Sequence, residues 1–307
     1  MSSATSSGWV ARLRLWFRNG YHPDPLSSID WLMMRVSFAA LVLITFNDWH
    51  PYAFTQQERP VGIARWINLT WLHHDGIYRG MFWMAVVCCA LYAMGIALRA
   101  VLPVLLVAQI IVYTYFNSQG FTDHSTQLVS MVLLVQTIVV WWKRGESKDK
   151  LRAWIWFYCR GIVLFSYVAS ALTKIINTRG LWVWRSKYLC IEIIKTRRFD
   201  YYKDLDPAFL GDPLSATWLM HHPLATQCMF GAGFFLEAFA FLGLRDRQWS
   251  ALIGLSLIAM HQSITWLMGL TFENHQWLIL IFLVNPMGWL LLLTNRNAKQ
   301  NLRAAST

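Results

Sequence analysis

From Ser28 onward, long apolar runs alternate with short basic or polar stretches. Eight of these runs approach the ~20 residues that a helix needs to cross ~30 Å of hydrocarbon. They cover Ser28–Phe46, Tyr78–Leu98, Val101–Tyr115, Ser125–Trp142, Ala153–Leu172, Pro223–Leu244, Trp249–Leu270 and Gln276–Leu293. A tight turn around Arg99 joins the second run to the third, and Pro103 suits a helix start there. Asn285-Pro286 predicts a kink or break in the eighth. The longest stretch between runs is 175–222. Within it Leu181, Trp184, Tyr188, Ile191 and Ile194 recur at three- and four-residue steps, with charged residues between them. That spacing predicts an amphipathic helix lying in the bilayer interface. The expected fold is an all-α polytopic membrane bundle of about eight transmembrane helices. It divides into a basic tail (1–27), a membrane domain (28–295) with a long outer loop (175–222), and a second basic tail (296–307).

Composition agrees with this pattern. Of 307 residues, 56% are hydrophobic and 14% charged, and the mean hydropathy is +0.37. A soluble domain carries roughly 25% charge, so a fully water-facing surface is excluded. The net charge of +11 suggests nucleic-acid binding until its location is read. Basic residues collect before span 1 (Arg12, Arg14, Arg18), after span 4 (Lys143, Arg144, Lys148, Lys150, Arg152), after span 6 (Arg245, Arg247) and after span 8 (Arg296, Lys299, Arg303). With eight spans all four groups fall on one side. The charge therefore sets orientation, with both termini cytoplasmic and no nucleic-acid partner. Membrane lipid is the expected surrounding, in a bacterial inner (plasma) membrane. Four of the five cysteines (Cys88, Cys89, Cys159, Cys228) lie within apolar runs, so no disulfide framework is implied. No cleaved signal peptide is expected.

Ionisable side chains within spans are candidates for function because burial in hydrocarbon costs each at least ~2.5 kcal/mol. Arg35, Arg160 and Glu237 each lie seven residues from the inner end of a span, about 10 Å deep. They form a candidate structural charge cluster, with Glu237 neutralising Arg160, Arg35 or both; a proton or ion path is the alternative. The outer half holds His124 at the start of span 4, Lys174 at the end of span 5 and His261 in span 7. A lysine in such a position can act as a base, with histidine as its relay; equally, it can snorkel to the interface. The adjacent pairs His73-His74 and His221-His222 diverge on a helix, so no metal site is expected.

The order of these motifs resembles the HTTM (horizontally transferred transmembrane) domain family, which includes the membrane region of vitamin K-dependent gamma-carboxylase. The likeness is carried by MMRVSFAALVLI with Arg35, ALYAMGIALRAVLPVLL with Gly95 and Arg99, and FTDHSTQLVSMVLL with His124. SYVASALTKI with Lys174 followed by LWVW, and MHQSITWLMGLTF with His261, Gly269 and Phe272, continue it. The resemblance implies a quinone-dependent enzyme that modifies a secreted peptide at the outer face. Lys174 would be the base, His124 its partner, His261 a further catalytic residue and a reduced, vitamin K-like quinone the cofactor. The alternative is a non-catalytic membrane factor for maturation or export of a secreted peptide. A transporter is disfavoured because no half of the chain repeats the other.

Overall fold

The computed structural model describes residues 21–23, 26–48, 61–118, 125–209, 211 and 214–290. Among them the chain is helical, with no strand. The apolar runs become α1 (Ser28–Asp48), α2 (Asp75–Met94), α3 (Leu98–Asn117), α4 (Ser125–Trp142) and α5 (Lys148–Thr178). The chain then forms α6 (Trp182–Arg185), α7 (Cys190–Asp204), α8 (Leu214–His221), α9 (Pro223–Ala238), α10 (Arg247–Met268) and α11 (Glu273–Ile279). Among the described residues five helices are long and apolar enough to cross a membrane, namely α1, α2, α3, α5 and α10; α4 is a shorter apolar helix.

Two expected spans are interrupted. The run Pro223–Leu244 is α9, only 16 residues long, followed by a 3₁₀ turn over Ala240–Leu244. The eighth run is the seven-residue α11 followed by a π-helical turn over Leu280–Val284. It breaks at Asn285, which takes a left-handed φ of 45° immediately before Pro286. Pro103 also differs from expectation, since α3 begins five residues earlier and holds this proline in its interior. Proline cannot donate to the carbonyl four residues back. That carbonyl belongs to Arg99, and the Trp141 indole N–H donates to it instead at 3.2 Å.

The core lies where α1 to α5 meet the broken final run. Phe38 packs edge-on against Tyr92 and Phe282, at ring separations of 6.1 and 5.6 Å. One end of the bundle gathers the basic turns: Arg99 donates to the Arg144 carbonyl, Arg152 reaches Ser28, and Arg247 lies 3.6 Å from Asp30. At the other end Val61 donates to the Ser118 carbonyl and Tyr78 to that of Phe46.

α6, α7 and α8 form a cap over that second end. Its outward face carries Leu181, Trp184, Tyr188 and Ile191, all exposed. The opposite face buries Ser186, Cys190 and Ile193; the last two pack on Ala216 and Leu219 of α8 and on Leu267 and Met268 of α10. Of the stripe expected to be one apolar face, Leu181, Trp184, Tyr188 and Ile191 are exposed while Ile194 packs inward, and the segment changes helix type at Ser186–Tyr188.

Candidate functional site

Along α5, Arg160, Tyr167 and Lys174 recur at seven-residue steps, which keeps them on one face of the helix. The rest of that face is apolar and buried, including Val163, Leu164 and Ala171. Three polar groups thus face the protein interior at successive depths.

The outermost, Lys174, forms an ion pair with Glu237 of α9, and Ser170 donates to the same carboxylate oxygen at 3.5 Å. The lysine ammonium also lies 5.2 Å from the centre of the Trp182 ring. Helix geometry brings the pair together. Side chains lean toward the N-terminus of their own helix, and α5 and α9 run antiparallel. Lys174 therefore leans down into the bundle while Glu237 leans up to meet it. The Lys174 side chain is 27% exposed and that of Glu237 only 9%.

Two turns deeper, the Tyr167 hydroxyl and His261 Nε2 of α10 share a hydrogen bond of 2.6 Å. His261 is 4% exposed. Its ring lies 4.7 Å from Phe272 and 6.1 Å from His275, and its Nδ1 has no described partner. Among the described residues no hydrogen bond joins one pair to the other. Tyr167 and Ser170 were missed in the sequence; the signal for Tyr167 was its placement midway between Arg160 and Lys174.

The expected cluster of Arg35, Arg160 and Glu237 is not what forms, because the described cation against Glu237 is Lys174. A straight sixth span would place Glu237 about 10 Å from the inner end. Instead the α-helix of this run ends at Ala238, and a 3₁₀ turn over Ala240–Leu244 follows. Gly243 of that turn packs against Leu164, which sets Glu237 level with the outer part of α5. Arg160 lies fourteen residues before Lys174, roughly 20 Å along the helix, and is wholly buried. Arg35 donates to the Tyr92 carbonyl at 3.2 Å and lies 5.4 Å from the centre of the Trp31 ring.

His124 lies outside the described residues. Of the doubled histidines, His222 stacks on Trp218 and bonds its carbonyl, while His73 meets Tyr115 edge-on. Among the described residues no three His, Cys, Asp or Glu side chains gather as a metal site. An apolar groove of about 370 Å³ runs between α1 and the final run, lined by Met33, Met34, Ala40, Ile44, Trp277 and Met287 among others. No protein-family model matches the chain, and no curated protein or solved structure matches it either.

Proposed function

We propose that this integral membrane protein is an acid–base enzyme whose working group is the Lys174–Glu237 pair, acting under the α6–α8 cap. The carrying observation is that two hydrogen-bonded titratable pairs, Lys174–Glu237 and Tyr167–His261, converge on one face of α5. Lys174 is the group that exchanges a proton with a substrate entering beneath the cap, and Glu237 is its hydrogen-bonded partner.

The resemblance to HTTM proteins extends this reading to a secreted peptide substrate at the outer face, a reduced quinone as reductant, eight spans and cytoplasmic termini. The groove beside α1 has the apolar lining that an isoprenoid chain takes. That lining includes neither pair. The residues in place therefore do not join a quinone to Lys174, and the chemistry assigned to Lys174 is proton transfer alone. The second reading, a non-catalytic factor for a secreted peptide, draws on the closure of the ion pair itself. A charge-to-charge contact linking α5 to α9 also serves as a clasp.

The test is exchange of solvent tritium into crude secreted peptides by the detergent-purified protein, beside Lys174→Met. Turnover in the parent and its loss in a folded variant is the expected result. Equal turnover in both removes Lys174 as the base. No turnover in either, together with a partner retained on pull-down, favours the non-catalytic reading.

A further inference from the structure

At the end of the bundle opposite the cap, a cavity of about 610 Å³ opens between the start of α1, the α2–α3 turn and the α4–α5 turn. Five cations line it: Arg35, Arg99, Arg144, Lys148 and Arg152. Among the described residues the only acidic side chain in the lining is Glu146, which lies 3.9 Å from Lys150. Three of the five, Arg144, Lys148 and Arg152, come from the basic stretch after α4, and Arg35 and Arg99 are brought to it from two other elements.

Arg35 makes this more than a basic surface. It is 7% exposed, and no described carboxylate lies against it. Its Nη1 donates to the Tyr92 carbonyl at 3.2 Å, while its buried Nε has no partner among the described residues. The guanidinium is clamped between Trp31 and Gly95. Gly95 ends α2 with a left-handed φ of 78°, and a β-carbon there would collide with the guanidinium. Arg152, on the cavity wall, is close enough to repel Arg35. Its own described partners are weak: Ser28 at 3.4 Å and the well-exposed Asp149 at 3.3 Å. A fixed buried cation, with a donor that is unpartnered among the described residues and a second guanidinium lining the same cavity, is short of one anion.

We infer that this cavity binds a phosphate group, held by Arg35 and Arg152 at its floor and wall with Arg99, Arg144 and Lys148 at its rim. Planar guanidinium forks match phosphate oxygens, and basic pockets between membrane helices take anionic headgroups. The volume accommodates a phosphoglycerol headgroup as well as a free phosphate. The acid–base reading of Lys174 is independent of this site.

Thermal unfolding of the full chain tests the site in two arms. In the first, the protein is placed in nanodiscs of phosphatidylcholine, with or without phosphatidylglycerol. In the second, the detergent-purified protein is titrated with inorganic phosphate. A ligand held at about 100 times its Kd raises Tm by roughly 5 °C. A rise with phosphatidylglycerol that is lost in Arg152→Gln and in Arg144→Gln identifies a lipid headgroup. A rise with inorganic phosphate, lost in the same variants, identifies a soluble source. These two variants alter partly exposed or rim side chains, so they keep the test valid even if Arg35→Gln does not fold. The inference is overturned by no rise in either arm, by a rise that Arg152→Gln retains, or by an equal loss in Arg79→Gln, which alters a cation at the far end of α2.

Discussion

Lys174 and Glu237 are each costly to bury alone and tolerable together. Removing one partner of a buried pair leaves an uncompensated charge, at a cost of about 3 kcal/mol. Glu237→Gln should therefore destabilise the protein by an amount of that order in denaturant or thermal unfolding. Lys174→Met with Glu237→Leu should regain most of the loss, because neither charge is then buried. If Glu237→Gln is neutral in stability, the pair contributes no clasp. Tyr167→Phe removes the bond to His261 and leaves both imidazole nitrogens without a described partner; the expected cost is roughly 1–2 kcal/mol. Denaturant unfolding of the variant measures that cost. Lys174 and Glu237 were both legible as suspects in the sequence, since ionisable residues stand out against apolar runs. Their pairing was not. It depends on the level at which α9 gives way to a 3₁₀ turn, and residue spacing along a single run carries no information about register against a neighbour.

At the scale of elements, the apolar runs were legible because hydrocarbon demands a continuous apolar length. The interruptions were legible only where a residue announces them, as at Asn285-Pro286. The turn after Ala238 has no such residue, and the segment after Lys174 continues as helix to Thr178. Pro103 was read as a helix start, where proline is cheapest. The structure accommodates it inside α3 because Trp141 supplies the N–H that the proline lacks. Trp141→Phe keeps the apolar bulk and removes that donor, so it should cost about 1 kcal/mol and loosen the α3–α4 contact. Hydrogen exchange of amides near Arg99 would register it as faster opening. At the start of α10, the Asp246 side chain accepts from the Gln248 and Trp249 amides at 3.0 Å each. Asp246→Ala should cost a further ~1 kcal/mol in unfolding experiments, the usual penalty for a lost helix cap. An equal loss in Asp246→Asn would show that charge, not capping, matters there.

Across the whole molecule, the basic turns 99, 143–152 and 245–247 converge on one end although they are far apart in sequence. That is the arrangement expected if a single membrane face selects them. The cap at the other end also carries cations, which would blur the orientation if every charge counted equally. Several of these are neutralised or covered locally. Lys195 pairs with Glu192 at 2.8 Å, and Lys187 lies 4.7 Å from the centre of the Trp184 ring. These local partners leave the cap with less uncompensated charge than the cluster at the far end. The orientation proposed on this basis puts the basic end in the cytoplasm, and two introduced cysteines test it. Gly145 lies in the basic turn with open space around its Cα, while Trp66 is 87% exposed at the opposite end. In a background with the exposed Cys228 replaced by serine, Trp66→Cys should react with a membrane-impermeant maleimide in intact cells. Gly145→Cys should react only after permeabilisation. The reverse pattern would invert the molecule and put the Lys174–Glu237 pair near the cytoplasmic face. A secreted peptide could not then be its substrate.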